Sequence, residues 1–185
     1  MARATFEIKP EGPYSFSASI SFLEGFAPAA YDGGGAFHLR LAFVAGGREA
    51  VAGVLVRSEG EVVTGEVYGE ADPETVKRQV ARILSLDVDG SGFPEVGGRD
   101  PVVGKLQERY PGLRPVCFYS PYEAAAWAII GNRIRIVQAA KMKKCMAEEL
   151  GPVVEIAGEP ERSFPGPSRL AHLEGFPGLF GRKAE

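Results

Sequence analysis

The stretch Phe118–Gly151, FYSPYEAAAWAIIGNRIRIVQAAKMKKCMAEELG, says more about the fold than any other part of this 185-residue chain. It opens with Ser120-Pro121-Tyr122-Glu123: a serine suited to cap a helix, a proline at the first helical position, and a glutamate three residues after the cap. Such a glutamate reaches back to the cap amide, so a helix is expected to start here. Gly131-Asn132 interrupts the run, and a second helical segment continues to Glu149, closed by Gly151 as its C′ residue. Between Ala124 and Ala147 lie five cations, Arg133, Arg135, Lys141, Lys143 and Lys144, and no acid. An apolar helix, a Gly-Asn break and a basic helix suit a protein that packs one element inside and presents the next to phosphates.

Outward from this segment the chain divides. Residues 1–100 carry 9 Lys and Arg against 15 Asp and Glu, whereas residues 101–185 carry 12 against 9. Such an asymmetry marks a part suited to polyanions joined to a part with another task. In the first half, Ala4–Lys9, Phe37–Val44, Ala50–Arg57 and Glu61–Gly69 read as strands. The last three are linked through Gly46-Gly47 and Glu59-Gly60 as a meander. Tyr14–Phe26 fits either period: Tyr14, Phe16, Ala18, Ile20 and Phe22 alternate, while Phe16, Ile20 and Leu23 also share a helical face. Asp72-Pro73-Glu74 caps a helix whose apolar stripe is Val76, Val80, Ile83 and Leu84.

Asp87–Asp100, DVDGSGFPEVGGRD, is rich in glycine and short of apolar residues, and reads as a linker. Its first six residues match an EF-hand loop at positions 1, 3, 5 and 6, but position 12 is Gly98 and no helix starts directly after it, so a turn is the better account. Beyond it Pro101–Tyr110 looks helical, Pro111–Pro115 turns, and Val153–Ile156 is a short strand or a connector. Pro167–Leu173 is a brief helix, and Leu179–Glu185 starts another that ends uncapped, as in a chain cut short. The expected class is α+β: a sheet unit over 1–86 with a three- or four-stranded antiparallel sheet, a linker over 87–100, and a helical part over 101–185.

Composition excludes several classes. At 45% hydrophobic and 24% charged the chain is an ordinary globular sequence, with no apolar run long enough to span a bilayer. The N-terminus, MARATFEIKPEG, lacks the apolar core of a signal peptide, so a cytoplasmic location is expected. Cys117 and Cys145 are too few for a disulfide framework, and with only His38 and His172 beside them no metal site is expected. Gly33-Gly34-Gly35 precedes a strand instead of opening a helix, so it is no phosphate loop.

A small sheet unit is followed by DPVVGKLQERYPGLRP, then SPYEAAAWAIIGNRI with AAKM and ELG, then SFPGPSRLAHLEGFPGLFGRKAE. This order resembles the N-terminal part of the DNA-3-methyladenine glycosylase II family, in the helix-hairpin-helix base-excision superfamily. The resemblance covers nearly the whole chain and is most specific from Asp100 to Glu185. It implies a sheet domain resembling half of a TATA-binding protein, then a truncated all-α glycosylase domain. The implied activity is flipping and excision of alkylated bases such as 3-methyladenine from double-stranded DNA, by a monomer without a cofactor or membrane contact.

In that family the segment matching Gly131–Ile134 reads Gly-Gln-Gln/Leu-Ile and lies against the minor groove, where its second residue fills the gap left by the flipped base. Here the pair is Asn132-Arg133, which would place a guanidinium where the family has an apolar group. The family's hairpin motif and the aspartate that stabilises the sugar cation come later in its sequence, and the last aspartate in this chain is Asp100. The 185 residues are therefore expected to be a fragment or a truncated relative unable to do the chemistry alone, with a non-catalytic DNA- or protein-binding module as the alternative.

The resemblance and the basic run together nominate Asn132, Arg133, Arg135, Lys141, Lys143 and Lys144 for DNA. Phe118, Tyr119, Tyr122 and Trp127 are nominated as aromatic walls for a flipped base, where a cationic alkylated base would gain cation–π attraction. No catalytic residue is assigned, and Glu123, the only acid near these rings, is expected to be held by the cap amide. Apolar surface is expected from Ile129, Ile130, Ile134 and Val137.

Overall fold

A computed structural model describes residues 4–28, 37–47 and 50–172. Four strands, β1 (Ala4–Ile8), β2 (His38–Val44), β3 (Val51–Glu59) and β4 (Val62–Gly69), form an antiparallel sheet in the order β1-β4-β3-β2. The meander is as expected, and β1 returns to the far edge beside β4, with Phe6 opposite Gly65. Val54 sits across from both Leu41 and Val67, so one face is a continuous aliphatic surface. It is buried beneath α1 (Phe16–Gly25) and α2 (Pro73–Ile83).

The ambiguous segment is helical. Ser15 caps α1 by accepting from the Ala18 N–H at 3.3 Å, and Phe16, Ser19, Ile20 and Leu23 all turn inward. A strand would have sent the alternate residues of this set to solvent, whereas the helical period puts Leu23 fully in the core. Helix α2 is capped as its sequence requires, Asp72 accepting from the Thr75 N–H at 2.9 Å.

The Gly-rich stretch differs from the linker expected. It contains α3 (Phe93–Arg99), which abuts α4 (Pro101–Arg109) through Asp100, the C-cap of one and the N-cap of the other. Gly97 and Gly104 let the two backbones cross closely, since a Cβ on Gly104 would stand 2.8 Å from the Gly97 carbonyl oxygen. The glycines serve contact between helices, not slackness. The EF-hand-like segment forms a turn, with Asp89 accepting from the Ser91 N–H at 2.8 Å.

The main core does not close at residue 86. Val116 and Tyr119 pack into it, and the Cys117 N–H donates to the Ile83 carbonyl at 2.8 Å. Arg114 is 7% exposed, and its guanidinium donates to the carbonyls of Pro13 (3.0 Å), Ser85 (2.9 Å), Val88 (2.8 Å) and Glu11. A buried guanidinium must satisfy its donors, and here the backbone does so.

The C-terminal part holds α5 (Pro121–Ile130), α6 (Ile136–Leu150), β5 (Val153–Ile156), β6 (Glu159–Arg162) and α7 (Pro167–Ala171). It is thus not helical throughout. Strands β5 and β6 form a hairpin whose Val154 and Ile156 pack on Ala42, Leu55 and Tyr68, covering the second face of the sheet. Arg40 on β2 pairs with Glu161 on β6 at 2.8 Å. Gly151 ends α6 with φ −70°, not in left-handed backbone. Its glycine is required by approach: a Cβ would lie 2.1 Å from the Ser163 carbonyl oxygen. The expected helix at Leu179–Glu185 and the Gly33–Gly35 run lie outside the described residues.

Candidate nucleic-acid interface

Helix α5 begins as its sequence specifies, with Ser120 Oγ accepting from the Glu123 N–H at 3.1 Å and Pro121 in the first turn. The Glu123 carboxylate does not return to the cap. It accepts instead from Lys143 Nζ on α6 at 2.5 Å, and Lys143 also donates to the Pro28 carbonyl at 2.7 Å. The two side chains are 8% and 11% exposed, and the ammonium lies 5.5 Å from the centre of the Phe164 ring. A charge withdrawn this far from water needs a partner at hydrogen-bond distance, and each supplies the other's. Lys143 is therefore a buried tie between α5, α6 and the segment after α1, and does not join the other nominated cations at the surface.

Those others do reach the surface. Asn132, Arg133, Arg135, Lys141 and Lys144 are exposed, Lys144 lying 3.9 Å from Glu148 across one helical turn. The turn that carries Asn132 and Arg133 is tightly built. The Gly131 N–H donates to the Trp127 carbonyl at 2.8 Å and the Asn132 N–H to Ile129 at 3.3 Å, extending α5 into the break. Arg133 then adopts φ 57°, left-handed backbone that L residues with a Cβ rarely take. That reversal sends the chain into α6, where Gln138 Oε1 accepts from the Arg135 N–H at 3.4 Å. At both ends of the turn apolar side chains lie open: Ile129 at 61%, Ile136 at 58% and Val137 at 74%. Ile130 is buried and Ile134 half-buried, so the expected apolar surface is there, but with a different membership.

The four nominated aromatics do not form one wall. Phe118 meets Phe26 edge-on at 5.6 Å, and Tyr119 meets Phe43 at 6.2 Å against the main core. Tyr122 lies 6.2 Å from Phe164, and Trp127 is half-buried in the same second core with Ile130, Ala139 and Met146. The Tyr122 hydroxyl is buried with no hydrogen-bond partner among the described residues, and burial, then the Glu123 carboxylate, pushes its pKa up.

A cleft of ≈ 530 Å³ opens between β2, α6 and the β5–β6 hairpin, lined among others by Arg40, Tyr119, Glu123, Lys143, Glu161 and Phe164. Among its charges Glu123 pairs with Lys143 and Arg40 with Glu161, while Arg162 donates to the Gly151 carbonyl at 3.2 Å. A carboxylate already neutralised by an ammonium is poorly placed to stabilise a cation forming on a sugar. Among the described residues no group of three His, Cys, Asp or Glu is placed to hold a metal, and no helix is long and apolar enough to cross a membrane.

Sequence reasoning located the exposed turn and missed two things. The Glu123–Lys143 tie joins residues twenty apart on separate helices, so no local pattern shows it. The Arg114 hub had one weak signal, an arginine flanked by Leu113 and Pro115 in an otherwise turn-forming stretch.

Comparison with solved structures gives this architecture a class. A 3-methyladenine DNA glycosylase from Archaeoglobus fulgidus superposes over 92% of this chain and 59% of its own, with TM-score 0.72 and 23% identity. MBOgg1, solved in complex with a low-affinity DNA ligand, covers 90% of this chain and 53% of its own, with TM-score 0.58 and 17% identity. An 8-oxoguanine glycosylase/lyase from Clostridium acetobutylicum, in complex with double-stranded DNA containing cytosine opposite 8-oxoguanine, covers 73% and 48%, with TM-score 0.52 and 22% identity. The fold is the α+β arrangement seen in these DNA glycosylase structures.

Within that class the sequence resembles the DNA-3-methyladenine glycosylases. It is 28% identical over 100 residues to the Bacillus subtilis (strain 168) protein of that name, a match spanning 54% of this chain and 33% of that protein. The chain therefore spans about a third of the curated relative it matches, and somewhat over half of the solved Archaeoglobus structure. No family model matches it.

Proposed function

We propose that this chain is the N-terminal, DNA-contacting part of a base-excision DNA glycosylase acting on alkylated bases such as 3-methyladenine. The observation that carries the reading is the exposed turn at Asn132-Arg133, set in an acid-free basic stretch within a fold shared with DNA glycosylases. Double-stranded DNA carrying damaged bases is the partner, bound by a monomer without a cofactor and inside the cytoplasm. Asn132, Arg133, Arg135, Lys141 and Lys144 contact the duplex; Lys143 holds α5 against α6 instead. Tyr119, Tyr122 and Trp127 line parts of two cores and Phe118 meets Phe26, and a flipped base would meet at most the edges of these rings.

The glycosidic step needs a carboxylate facing the deoxyribose. No aspartate follows Asp100 in the 185 residues, and Glu123 is bound to Lys143. Residues 1–185 alone therefore bind duplex DNA and release no base. The loss of a preorganised charge opposite a forming cation costs several kcal/mol, enough to take the rate below detection. Two measurements on the purified chain test this. In a low-salt titration, Arg133→Glu with Arg135→Glu weakens duplex binding about tenfold or more, through two lost phosphate or groove contacts. With methylated DNA, neither 3-methyladenine nor 7-methylguanine appears in the supernatant. Unchanged affinity in the folded double variant overturns the interface; base release abolished by Glu123→Gln overturns the assignment of no catalytic residue.

A further inference from the structure

Helix α6 turns Ala139, Lys143 and Met146 inward, and the middle member of that stripe is a cation. Ala139 and Met146 already bury the helix in the second core with Ile130 and Phe164. Replacing a buried ion pair by apolar groups of similar volume is often neutral or stabilising, so stability alone does not account for Glu123 and Lys143. Apolar burial is non-directional, and what the pair adds is direction. Lys143 Nζ donates to the Glu123 carboxylate in the first turn of α5 at 2.5 Å and to the Pro28 carbonyl, in the segment after α1, at 2.7 Å. Two acceptors from two separate elements hold one atom of α6, and with it the roll of the helix. At 3.6 residues per turn, Lys141 lies about 200° around the axis from Lys143, so an inward Lys143 aims Lys141 at solvent. The contact also closes the end of α5 away from the turn, about 10 Å along the helix from Ile130, and so sets the angle between α5 and α6.

We propose that Glu123 and Lys143 are positioning residues for DNA binding: their contact, with that to Pro28, fixes α6 so that Arg133 and Arg135 on the turn and Lys141 and Lys144 on the helix reach one duplex together. This rests on the DNA-binding reading above and gives the sheet unit a part in it, since the Pro28 carbonyl braces α6 from outside the helical part. Neither residue touches DNA, their side chains being 8% and 11% exposed, and the pair shows phosphates no net charge. The other ion pair between the two parts, Arg40 with Glu161, joins β2 to β6 and leaves α6 untouched.

The test uses the 185-residue chain and a fluorescently labelled duplex, with affinity measured by anisotropy over a range of salt concentrations. Lys143→Met with Glu123→Leu fills the same space without charge and leaves the net charge unchanged. It is expected to bind about fivefold or more weakly and with a shallower salt dependence, because fewer phosphates are met at once. A variant that was only less stable would lower the fraction of competent protein and keep the native slope. Glu123→Gln, whose amide oxygen still accepts from Lys143, binds like the native chain. Lys9→Met with Glu61→Leu, an exposed pair on the sheet, changes neither affinity nor slope. Trp127 fluorescence in urea reports folding, and Lys143→Leu with Glu123→Met repeats the test in a second packing should the first variant not fold. Native affinity and slope in a folded apolar-pair variant overturn the positioning role while the DNA-binding reading stands. Weaker binding with the native slope overturns it too, as a loss of competent protein. Absence of duplex binding by the native chain overturns both.

Discussion

Arg133 holds φ 57°, a conformation in which a Cβ crowds the following carbonyl. Glycine would relax this strain, so Arg133→Gly is expected to stabilise the fold by about 1 kcal/mol in urea unfolding. If the guanidinium serves DNA, the same variant binds duplex more weakly; a variant both stabler and equally tight would show the arginine has no part in binding. Tyr14 offers a pH readout. Burial pushes its phenol up to about 12, opposed by the hydrogen bond from Ser19 and by the Arg114 guanidinium 5.7 Å from the ring. Between the unfolded value of about 10 and the folded one, the native state keeps a proton that the unfolded chain has lost. Stability therefore falls as pH rises through that window, by up to about 1.4 kcal/mol per pH unit. Tyr14→Phe should flatten this alkaline slope in denaturant titrations, at the cost of the Ser19 bond at neutral pH.

At the scale of elements, the locally encoded signals read well and the non-local ones did not. Caps at Asp72, Asp100 and Ser120 act within three residues, so the starts of α2, α4 and α5 were visible in the sequence. Strand β6 was not visible. Glu159-Pro160-Glu161-Arg162 has no alternation, and it becomes a strand because β5 must cover the apolar second face of the sheet and needs a pairing partner. Gly97 misled for a related reason: composition alone cannot separate a flexible link from a close helix crossing, here against Gly104. The Glu123–Lys143 tie yields the prediction at this scale. Lys143→Met leaves a buried carboxylate unpaired and should cost about 3–5 kcal/mol, whereas adding Glu123→Leu should recover most of it. Urea midpoints of the three proteins decide; an additive pair would mean that the charges do not depend on each other.

Across the whole molecule, the expected units share a core. Val116 and Tyr119 complete the packing of the sheet unit, Arg114 binds carbonyls from residues 11 to 88, and the β5–β6 hairpin lies on the second face of the sheet. Unfolding should accordingly be one cooperative transition, seen at the same midpoint by the Trp127 fluorescence of the helical part and by far-ultraviolet dichroism. Arg114→Met removes four part-buried hydrogen bonds to backbone carbonyls and should cost about 3 kcal/mol or more. Two separate transitions would mean that the sheet unit and the helical part fold independently.

The sequence by itself determined the antiparallel meander, the capped helices and the place of the basic turn, because periodicity, caps and charge runs act over a few residues. It also carried the resemblance to DNA glycosylases that the comparisons bear out. Only the tertiary structure decided that the segment after Tyr14 is a helix, that the second face of the sheet is covered by a hairpin, and that Lys143 and Ile130 are buried while Ile136 is open. Those outcomes depend on which surfaces meet across long sequence separations, and burial is a property of the assembled surfaces that no short window of residues contains.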